Sequence, residues 1–411
     1  MKITLSQPVL SNAIAKGGVA AFTAEGQSEE QKSSNVTKSC MSIRADADSV
    51  TFESTVSKMA ARYVVKAGEG VKIDDPGEVC VPARELKDIC SKLREDQSVR
   101  LEFVPSAPKQ AEASPYGIQS DGNIDLRVFD GDNEVIQASI ESYPTARFEK
   151  ATFKTDPVVL KCKNKLVKEA AAMVAFATNP TDYAELLNNI GIFAGENVMF
   201  FVGTDRKRCA ISSVDRKSFE AVGIDSVLLE SENLAKAMEI FEADDDVSFA
   251  MEPDATHITL YSGSVSILLN TVDKIRKAKF PDYRKVLKMG TKVKIVIDRK
   301  ALEFGLKAIS LANRQKSLYV VKQGAESIVM KAKGVTAVRA IEAKAKCEKI
   351  SESLTAEAVS FSTEAFAGCI DKLSGEKVNL SFTADEMRAK VDSPDSPNFV
   401  YLLQRSPDDE M

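Results

Sequence analysis

The amino-acid sequence predicts an α+β protein made of three similar domains, each containing two βαβββ units. Three observations support this prediction: one pattern recurs three times, its helices carry a single apolar face, and its strands alternate apolar with polar residues. The copies begin near residues 79, 227 and 359. Such wide spacing indicates whole domains rather than a short-period repeat.

The recurring unit is a short apolar strand, an amphipathic helix and a strand with one buried face. The strands lie at 79–81 and 99–103, at 227–229 and 247–251, and at 359–361 and 378–382. Between them, apolar residues fall at i, i+3, i+4 and i+7, which places them on one helix face. These residues are Leu86, Ile89, Cys90 and Leu93; Leu234, Ala237, Met238 and Phe241; and Phe366, Cys369, Ile370 and Leu373.

Each domain also contains an earlier helix, which gives six predicted helices in all. Their apolar stripes are Leu10, Ala13, Ile14 and Gly17; Leu166, Ala170 and Met173; and Leu302, Gly305, Leu306 and Ile309. In the second copy Glu169 falls on the stripe, so this layer of the repeat is less regular. The predicted domains are 1–154, 155–290 and 291–411, with polar loop insertions near 24–38 and 104–122. An acidic tail follows Ser406.

Composition excludes several classes of protein. The chain is 44% hydrophobic and 28% charged, and its net charge of −5 argues against a broadly basic nucleic-acid binder. No apolar stretch approaches the roughly 18–20 residues of a membrane span, and the N-terminus lacks the apolar core of a signal peptide. We therefore expect a cytoplasmic protein with no membrane partner. Seven cysteines without a CxxC spacing indicate buried free thiols.

The sequence offers little for catalysis. His257 is the single histidine and lies in a strand-like alternation, without a nucleophile elbow or a glycine-rich phosphate loop. The acidic run at 244–246 falls in the turn between helix and strand, where consecutive side chains diverge. We expect no enzyme activity, no cofactor and no metal. A hydrolase that uses His257 is a much weaker alternative.

Four short motifs, in order along the chain, resemble those of the bacterial DNA polymerase III beta subunit, the sliding clamp. KFPDYRKVL at 279–287 resembles the family's FPDYRRVLP, and VGTDRKRCA at 202–210 resembles VATDGHRLA. The strand at 399–405 resembles the family's C-terminal YxIMPxR, and VPAR at 81–84 has a counterpart in the first domain. In addition, Leu187-Asn188-Asn189 stands where the family has LNG. The distance of the match suits a divergent or virus-encoded member.

The resemblance implies the DNA clamp fold and a head-to-tail homodimeric ring. In the family, the helices line the pore, the sheets form the outer wall, and the ring tethers the replicative polymerase on duplex DNA for processive synthesis. Polymerase and clamp loader bind through short linear motifs. An alternative is a clamp-like ring that serves a transcription or repair factor. For the dimer interface, the sequence suggests an edge near 135–140 and another near 318–321.

Residue-wise comparison with the family also predicts the functional surfaces. A partner-peptide pocket between the second and third domains would contain Leu187, Thr204, Arg206, Lys207, Arg208, Cys209, Pro281, Lys285, Val286, Val400, Leu402 and Leu403. The family's Gly-His is Arg206-Lys207 here, and its Met-Pro is Leu402-Leu403, so we expect altered peptide specificity. DNA-facing cations would be Lys32, Lys38, Arg84, Lys87, Lys163, Lys168, Arg299 and Lys300.

Overall fold

The structure, a computed structural model, describes most of the chain. The described residues are 1–23, 39–68, 70–106, 120–181, 186–252, 255–273, 277, 279–312, 318–323, 327–333, 340–349, 354–356 and 359–406. Lys32, Lys38, most of the two predicted insertions and the acidic tail beyond Ser406 lie outside these residues. The chain packs into two compact units, Met1–Asn164 with Lys236–Thr271 (unit 1) and Lys165–Ala235 with Val272–Met411 (unit 2). The predicted domain boundaries stay a prediction.

All six predicted helices are present, and the described residues contain two further short ones, α2 and α6. The helices are α1 Gln7–Gly17, α2 Val19–Thr23, α3 Ala83–Cys90, α4 Asn164–Val174, α5 Ser231–Ile240, α6 Tyr283–Leu287, α7 Arg299–Ser310 and α8 Thr363–Ile370. Neither α2 nor α6 reaches two full turns, which is too short to show a helical period in the sequence. No helix in the described part of the chain is long and apolar enough to cross a membrane.

Strands make up most of the remaining regular structure. They are β1 Lys2–Ser6, β2 Cys40–Ala45, β3 Ser49–Val56, β4 Met59–Lys66, β5 Val71–Asp75, β6 Gly77–Pro82, β7 Ser98–Pro105, β8 Gly122–Asp130, β9 Asn133–Ser142, β10 Val158–Lys163, β11 Asn189–Ala194, β12 Val198–Thr204, β13 Arg208–Asp215, β14 Phe219–Val222, β15 Ser226–Glu230, β16 Asp246–Ala250, β17 His257–Ser262, β18 Val265–Asn270, β19 Val293–Asp298, β20 Leu318–Gln323, β21 Ser327–Lys333, β22 Ala340–Lys349, β23 Val359–Ser362, β24 Lys377–Phe382, β25 Arg388–Ser393 and β26 Ser396–Gln404.

Unit 1 contains two antiparallel sheets. One has the strand order β5-β1-β7-β8-β9, so β9 forms an edge. The other runs β10-β16-β17-β18-β4-β3-β2-β6. Here β18 pairs with β4 from Val265 opposite Tyr63 to Leu269 opposite Met59, which joins strands from the first and second predicted domains.

Unit 2 contains one sheet of twelve strands in the order β15-β11-β12-β13-β26-β25-β24-β19-β22-β21-β20-β23. The pairing of β13 with β26 joins the second and third predicted domains in the same way as β4 with β18. The prediction of an interface edge at 318–321 was wrong. The strand there, β20, pairs on both sides, with β21 and with β23. A strand bonded on both sides offers no free edge to a partner.

The apolar helix faces pack against these sheets as predicted, with exceptions in α3, where Ile89 is only half-buried, and in α4. In α4 the buried residues are Val167, Ala170, Ala171 and Val174, whereas Leu166 and Met173 are only half-buried. Glu169 is exposed. The prediction was therefore right at Ala170 and wrong at Leu166 and Met173, and the buried residues keep the i, i+3, i+4, i+7 spacing of the other helices.

Close contact between helix and sheet in unit 1 explains a glycine on one predicted stripe. A Cβ atom at Gly17, the last residue of α1, would lie 2.6 Å from the Cβ of Phe52 on β3. Any larger residue would push the helix off the sheet.

All seven cysteines are free and buried, and burial raises the pKa of the Cys90 and Cys162 thiols to about 12. The prediction of buried free thiols is thus confirmed.

Candidate partner pocket

A pocket of about 200 Å³ lies in unit 2, where three separate stretches of the chain meet. They are the turn between β12 and β13, the segment that leads into α6, and the facing ends of β25 and β26. Its lining residues are Thr204, Arg206, Lys207, Arg208, Cys209, Pro281, Asp282, Tyr283, Val286, Arg388, Leu402 and Gln404. The pocket thus has an apolar wall and several cationic groups at its rim.

Aromatic packing fixes the segment that forms one wall. Tyr283 is buried, and its ring centroid lies 4.8 Å from that of Phe193 and 5.1 Å from that of Phe200. Phe280 is buried beside them, 5.8 Å from Phe193. Asp282 then begins helix α6 by accepting a hydrogen bond from the amide of Arg284. The FPDYR motif therefore anchors the wall through its aromatic residues and its cap.

The opposite wall is a tight turn held by the Thr204-Asp205 pair. Asp205 accepts hydrogen bonds from the amides of Lys207 and Arg208 at 2.9 and 2.8 Å, and from Nε of Arg208 at 2.9 Å. The Thr204 hydroxyl donates to the carbonyl of Arg208 at 2.8 Å. These bonds orient the side chains of Arg206 and Lys207 toward the rim. Burial raises the pKa of the neighbouring Cys209 thiol to about 12, so this wall is neutral below the rim.

The turn imposes a left-handed backbone on Arg206, whose φ is +74°. This is the position where the family motif has glycine. A left-handed conformation costs a side-chain-bearing residue about 1–2 kcal/mol, which glycine avoids.

We expect Arg206→Gly to raise the free energy of unfolding by up to about 1 kcal/mol, because relief of this strain exceeds the extra chain entropy of glycine in the unfolded state. Urea denaturation measures the change. Lys207→Gly is the matched control, since Lys207 is exposed on the same turn and does not have a positive φ. A loss of stability in Arg206→Gly would contradict the prediction.

The structure brings eight of the twelve predicted pocket residues together: Thr204, Arg206, Lys207, Arg208, Cys209, Pro281, Val286 and Leu402. The other four do not line the cavity. Leu187 and Leu403 are buried elsewhere, Lys285 is exposed on α6, and Val400 lies farther back on β26. Leu403 faces away because successive side chains on a strand point to opposite sides.

Four lining residues were missed. Asp282 and Tyr283 lie inside the FPDYR motif, so the motif itself could have identified them as lining residues. Arg388 and Gln404 face each other across the β25–β26 pair, and Leu402 lies opposite Cys209 across β13–β26. Only the register of these strands places Arg388 and Gln404 at the pocket, and the sequence does not contain that register.

A second turn, which leads into Arg388, has side-chain hydrogen bonds and a left-handed residue like those of the turn between β12 and β13. Between β24 and β25, the Thr383 hydroxyl donates to Asp385 at 2.5 Å, and Glu386 has a left-handed φ of +55°. The Glu386 side chain is buried, and its carboxylate accepts hydrogen bonds from the Thr355 hydroxyl and from the Thr355 and Ala356 amides. Burial acts to raise the pKa of Glu386, but these hydrogen bonds and the positive charge of Arg405 outweigh it and lower the pKa below its ordinary value.

Because the folded-state pKa is lowered, Glu386 stabilises the fold above the unfolded-state pKa, and this contribution is lost as pH falls through the folded value. We expect Glu386→Gln to lose about 1–3 kcal/mol of unfolding free energy at pH 7. The loss should shrink as the pH falls below the ordinary pKa of glutamate, about 4.3. Urea denaturation from pH 7 to pH 3 measures it, with the exposed Glu376→Gln as control. A pH-independent loss would refute the linkage.

The DNA-facing candidates are scattered among different environments. Arg84 on α3 and Lys300 on α7 are exposed, and Lys168 is half-buried on α4. The ammonium of Lys87 lies 4.3 Å from the ring centroid of Phe22.

Two further candidates are in ion pairs: Lys163 binds Asp246 at 2.7 Å, and Arg299 binds Glu303 at 3.2 Å. Each also donates a hydrogen bond to a backbone carbonyl, of Asp244 and Gly375 respectively. These contacts fasten the starts of α4 and α7, so the two residues have a structural role whatever they face.

The residues considered for catalysis lie at the start of a strand and in a turn between helix and strand. His257 is exposed at the start of β17, with Nδ1 3.1 Å from the Thr256 hydroxyl. Asp245 accepts from the amide of Glu242, and Asp246 pairs with Lys163. Among the described residues no cluster of three or more His, Cys, Asp or Glu side chains could hold a metal ion.

Comparison with known proteins places this geometry in a known fold. No family model matches the chain. A beta sliding clamp of Pseudomonas putida is 23% identical over 247 residues, which span 59% of this chain and 59% of that relative's length. A beta sliding clamp of Caulobacter vibrioides is 21% identical over 372 residues, or 88% of this chain and 90% of the relative.

The structural match extends over the whole chain. The DNA polymerase III subunit beta from Pseudomonas aeruginosa superposes with a TM-score of 0.80 at 18% identity, covering 99% of this chain and 100% of that one. This chain has the DNA clamp fold. The predicted α+β class with three similar domains is confirmed, and so is the resemblance to the beta sliding clamps. The low identity agrees with a divergent clamp.

Proposed function

We propose that this protein is a DNA sliding clamp, a non-catalytic ring that encircles duplex DNA and tethers the replicative polymerase for processive synthesis. The observation that carries the proposal is the whole-length match of the fold to DNA polymerase III beta subunits. The pocket of unit 2 supports it independently, because eight residues predicted from the clamp motifs converge there from distant parts of the chain.

The proposed contact with DNA is weak and independent of sequence. A net charge of −5 leaves only local cations to approach phosphates, with Arg84, Lys87, Lys168 and Lys300 as the main candidates. Each firm phosphate contact would add a salt-dependent barrier to sliding. A ring closed around the duplex needs no such affinity, since topology keeps it in place.

The proposed pocket ligands are short linear motifs of the polymerase and the clamp loader. Apolar anchors would pack against Val286 and Leu402, while Arg206, Lys207 and Arg388 supply positive charge at the rim. We therefore expect a partner peptide more acidic than the standard bacterial motif. Titration of labelled peptides tests this: equal affinity for the bacterial consensus peptide and for a version with added aspartates would argue against altered specificity.

The way the domains join within each unit supports a head-to-tail dimer. In both units the last strand of one domain pairs with an earlier strand of the preceding domain, β18 with β4 and β26 with β13. The corresponding last strand of the first domain is β9, and the corresponding earlier strand of the third is β22. We infer that β9 of one copy pairs with β22 of a second copy.

Both strands have the free edge that this pairing requires. Within the described part of the chain, residues 133–138 of β9 pair only with β8, and residues 340–346 of β22 pair only with β21. On β9, Val135 and Ile136 are 49% and 42% exposed, which is unusual for large apolar side chains. Glu134 on β9 and the exposed Lys344 and Lys346 on β22 have complementary charges.

Primer extension with the cognate polymerase and clamp loader tests the function directly. Adding the protein should lengthen the products made in a single binding event on circular primed DNA. Linearising the template should release the protein, because a ring can slide off a free end. If product length does not increase, the replication role is excluded. Retention on linear DNA would instead indicate ordinary affinity for DNA.

A further inference from the structure

Unit 1 contains a second cavity, of about 450 Å³, which we call the junction cleft. It is formed by the β3–β4 turn at 55–60, the connecting segment at 149–154, the β16–β17 region at 250–259, and the end of β18 at 268–270. Its volume lies in the range of about 300–1,000 Å³ that is usual for ligand sites, and it exceeds that of the partner pocket.

The junction cleft occupies the position that the partner pocket occupies one domain further along. The β3–β4 turn corresponds to the β12–β13 turn, and segment 149–154 to the segment that enters α6. The end of β18 corresponds to the end of β26, since β18 pairs with β4 as β26 pairs with β13. The fold thus builds the same kind of recess twice, from two sets of residues.

Unlike the cationic rim of the partner pocket, the two lysines that line the junction cleft are paired with carboxylates, and Glu149 in its lining is exposed. Lys154 binds Glu252 at 2.7 Å across the cleft, and Lys150 binds Glu78 at 2.8 Å. The apolar surface comes from Val56, Met59, Ala60, Ala250, Met251 and Leu268. A cleft whose lysines are already paired offers an acidic ligand no free cation, and with its apolar walls it favours an uncharged ligand.

One buried polar atom at the wall lacks a partner. The hydroxyl oxygen of Thr55, at the end of β3, is buried and makes no hydrogen bond within the described part of the chain. A buried hydroxyl left unpaired costs about 1–3 kcal/mol. Rotation of the Thr55 side chain toward the cleft would let this hydroxyl pair with a backbone group of a bound peptide.

The connecting segment is held rigidly in place, so the cleft is preformed. The buried Glu53 carboxylate accepts hydrogen bonds from the amide of Ala151 at 3.0 Å and from Nε of Arg62 at 2.9 Å. The Arg62 guanidinium also lies 4.3 Å from the ring centroid of Phe153. A preformed site loses little conformational entropy on binding.

We propose that the junction cleft binds a short, uncharged peptide segment of a partner protein, anchored by apolar side chains. The inference rests on the proposed function only in taking the partner pocket as a peptide site. The two recesses would differ in ligand: acidic segments bind the cationic pocket of unit 2, and neutral segments bind the cleft of unit 1. One chain could then hold two different partners at once.

Methionine-methyl NMR of the full chain distinguishes the two sites. Met59 and Met251 line the cleft, Met387 adjoins Arg388 at the partner pocket, and Met41 is buried in the core away from both. The probe is an acetylated, amidated Ala-Leu-Ser-Leu-Phe peptide, with Ala-Asp-Ser-Asp-Phe as its charged control. We expect the neutral peptide to shift the Met59 and Met251 methyls and to leave Met41 unchanged.

Two variants test the assignment. Thr55→Val keeps the side-chain shape. It should reduce the affinity for the neutral peptide about five- to tenfold without loss of protein stability. Ala255→Trp should abolish the shifts by filling the cleft. Leu402→Asp, in the partner pocket, should leave these shifts intact. The test of the cleft therefore does not depend on whether the partner pocket binds peptides. The proposal is overturned if Met59 and Met251 do not respond by about 1 mM peptide, if only Met387 responds, or if Thr55→Val binds like wild type.

Discussion

Replacing Val135 and Ile136 together with lysine should convert the proposed dimer into monomers. Both side chains lie on the free edge of β9 and are about half exposed, so the change should leave the folded monomer intact. Burial of two such side chains at an interface contributes about 3 kcal/mol, and two buried lysines would add a desolvation cost. The dissociation constant should therefore rise more than about a hundredfold.

Sedimentation velocity over a range of protein concentrations measures this change. The matched control is Val104→Lys, because Val104 is 43% exposed on β7, an interior strand of the same sheet. It should keep the wild-type dimer. The Val135 and Ile136 double variant should also lose its effect on product length in primer extension, because a monomer cannot close a ring around DNA. A stable dimer in the double variant would show that β9 is not the interface.

Leu402→Asp should reduce the affinity of partner peptides by about 30- to 100-fold. Leu402 lies on β26 opposite Cys209 and supplies apolar wall to the pocket of unit 2. The substitution removes an apolar contact and places a carboxylate where a peptide anchor would be buried, a combined loss of about 2–3 kcal/mol. Fluorescence anisotropy with a labelled peptide that carries the bacterial clamp-binding consensus measures the affinity.

Leu287→Asp provides the control for stability. Leu287 and Leu402 are both partly buried against the same core cluster, but only Leu402 lines the cavity. The two variants should therefore lose similar stability, while Leu287→Asp should keep its peptide affinity. Equal loss of binding in both would mean that the effect comes from unfolding rather than from the pocket. Unchanged binding in Leu402→Asp would place the peptide elsewhere.

The sequence predicted what depends on local chemistry and period. All six longer helices, their neighbouring strands and most of the pocket motifs lie where the apolar spacing and the family resemblance placed them. The error in α4 arose because Leu166 and Met173 gave a stronger signal than the smaller Val167, Ala171 and Val174, although these smaller residues are the ones that pack closely. A hydrophobic pattern favours large residues, whereas burial depends on the distance between helix and sheet.

What the sequence could not predict was pairing between distant strands. Arg388 and Gln404 reach the pocket only through the register of β25 with β26, and β20 is not an edge because β23, almost forty residues later, pairs with it. The left-handed backbone of Arg206 was equally hidden, since arginine does not suggest that conformation. The family's glycine at that position did signal it, but only by comparison.

The continuous sheet of unit 2 has a consequence for how the pocket responds to damage. Hydrogen bonds between β13 and β26 join the second and third predicted domains into one ladder, so neither can open along this seam without exposing the backbone of Cys209 and Leu402. We expect amide hydrogens on both sides of the seam to exchange with solvent together, in a single cooperative opening. A destabilising substitution far away in the third domain would then lower the fraction of molecules in which the proposed peptide pocket is formed. The shape of the pocket in the remaining molecules would not change.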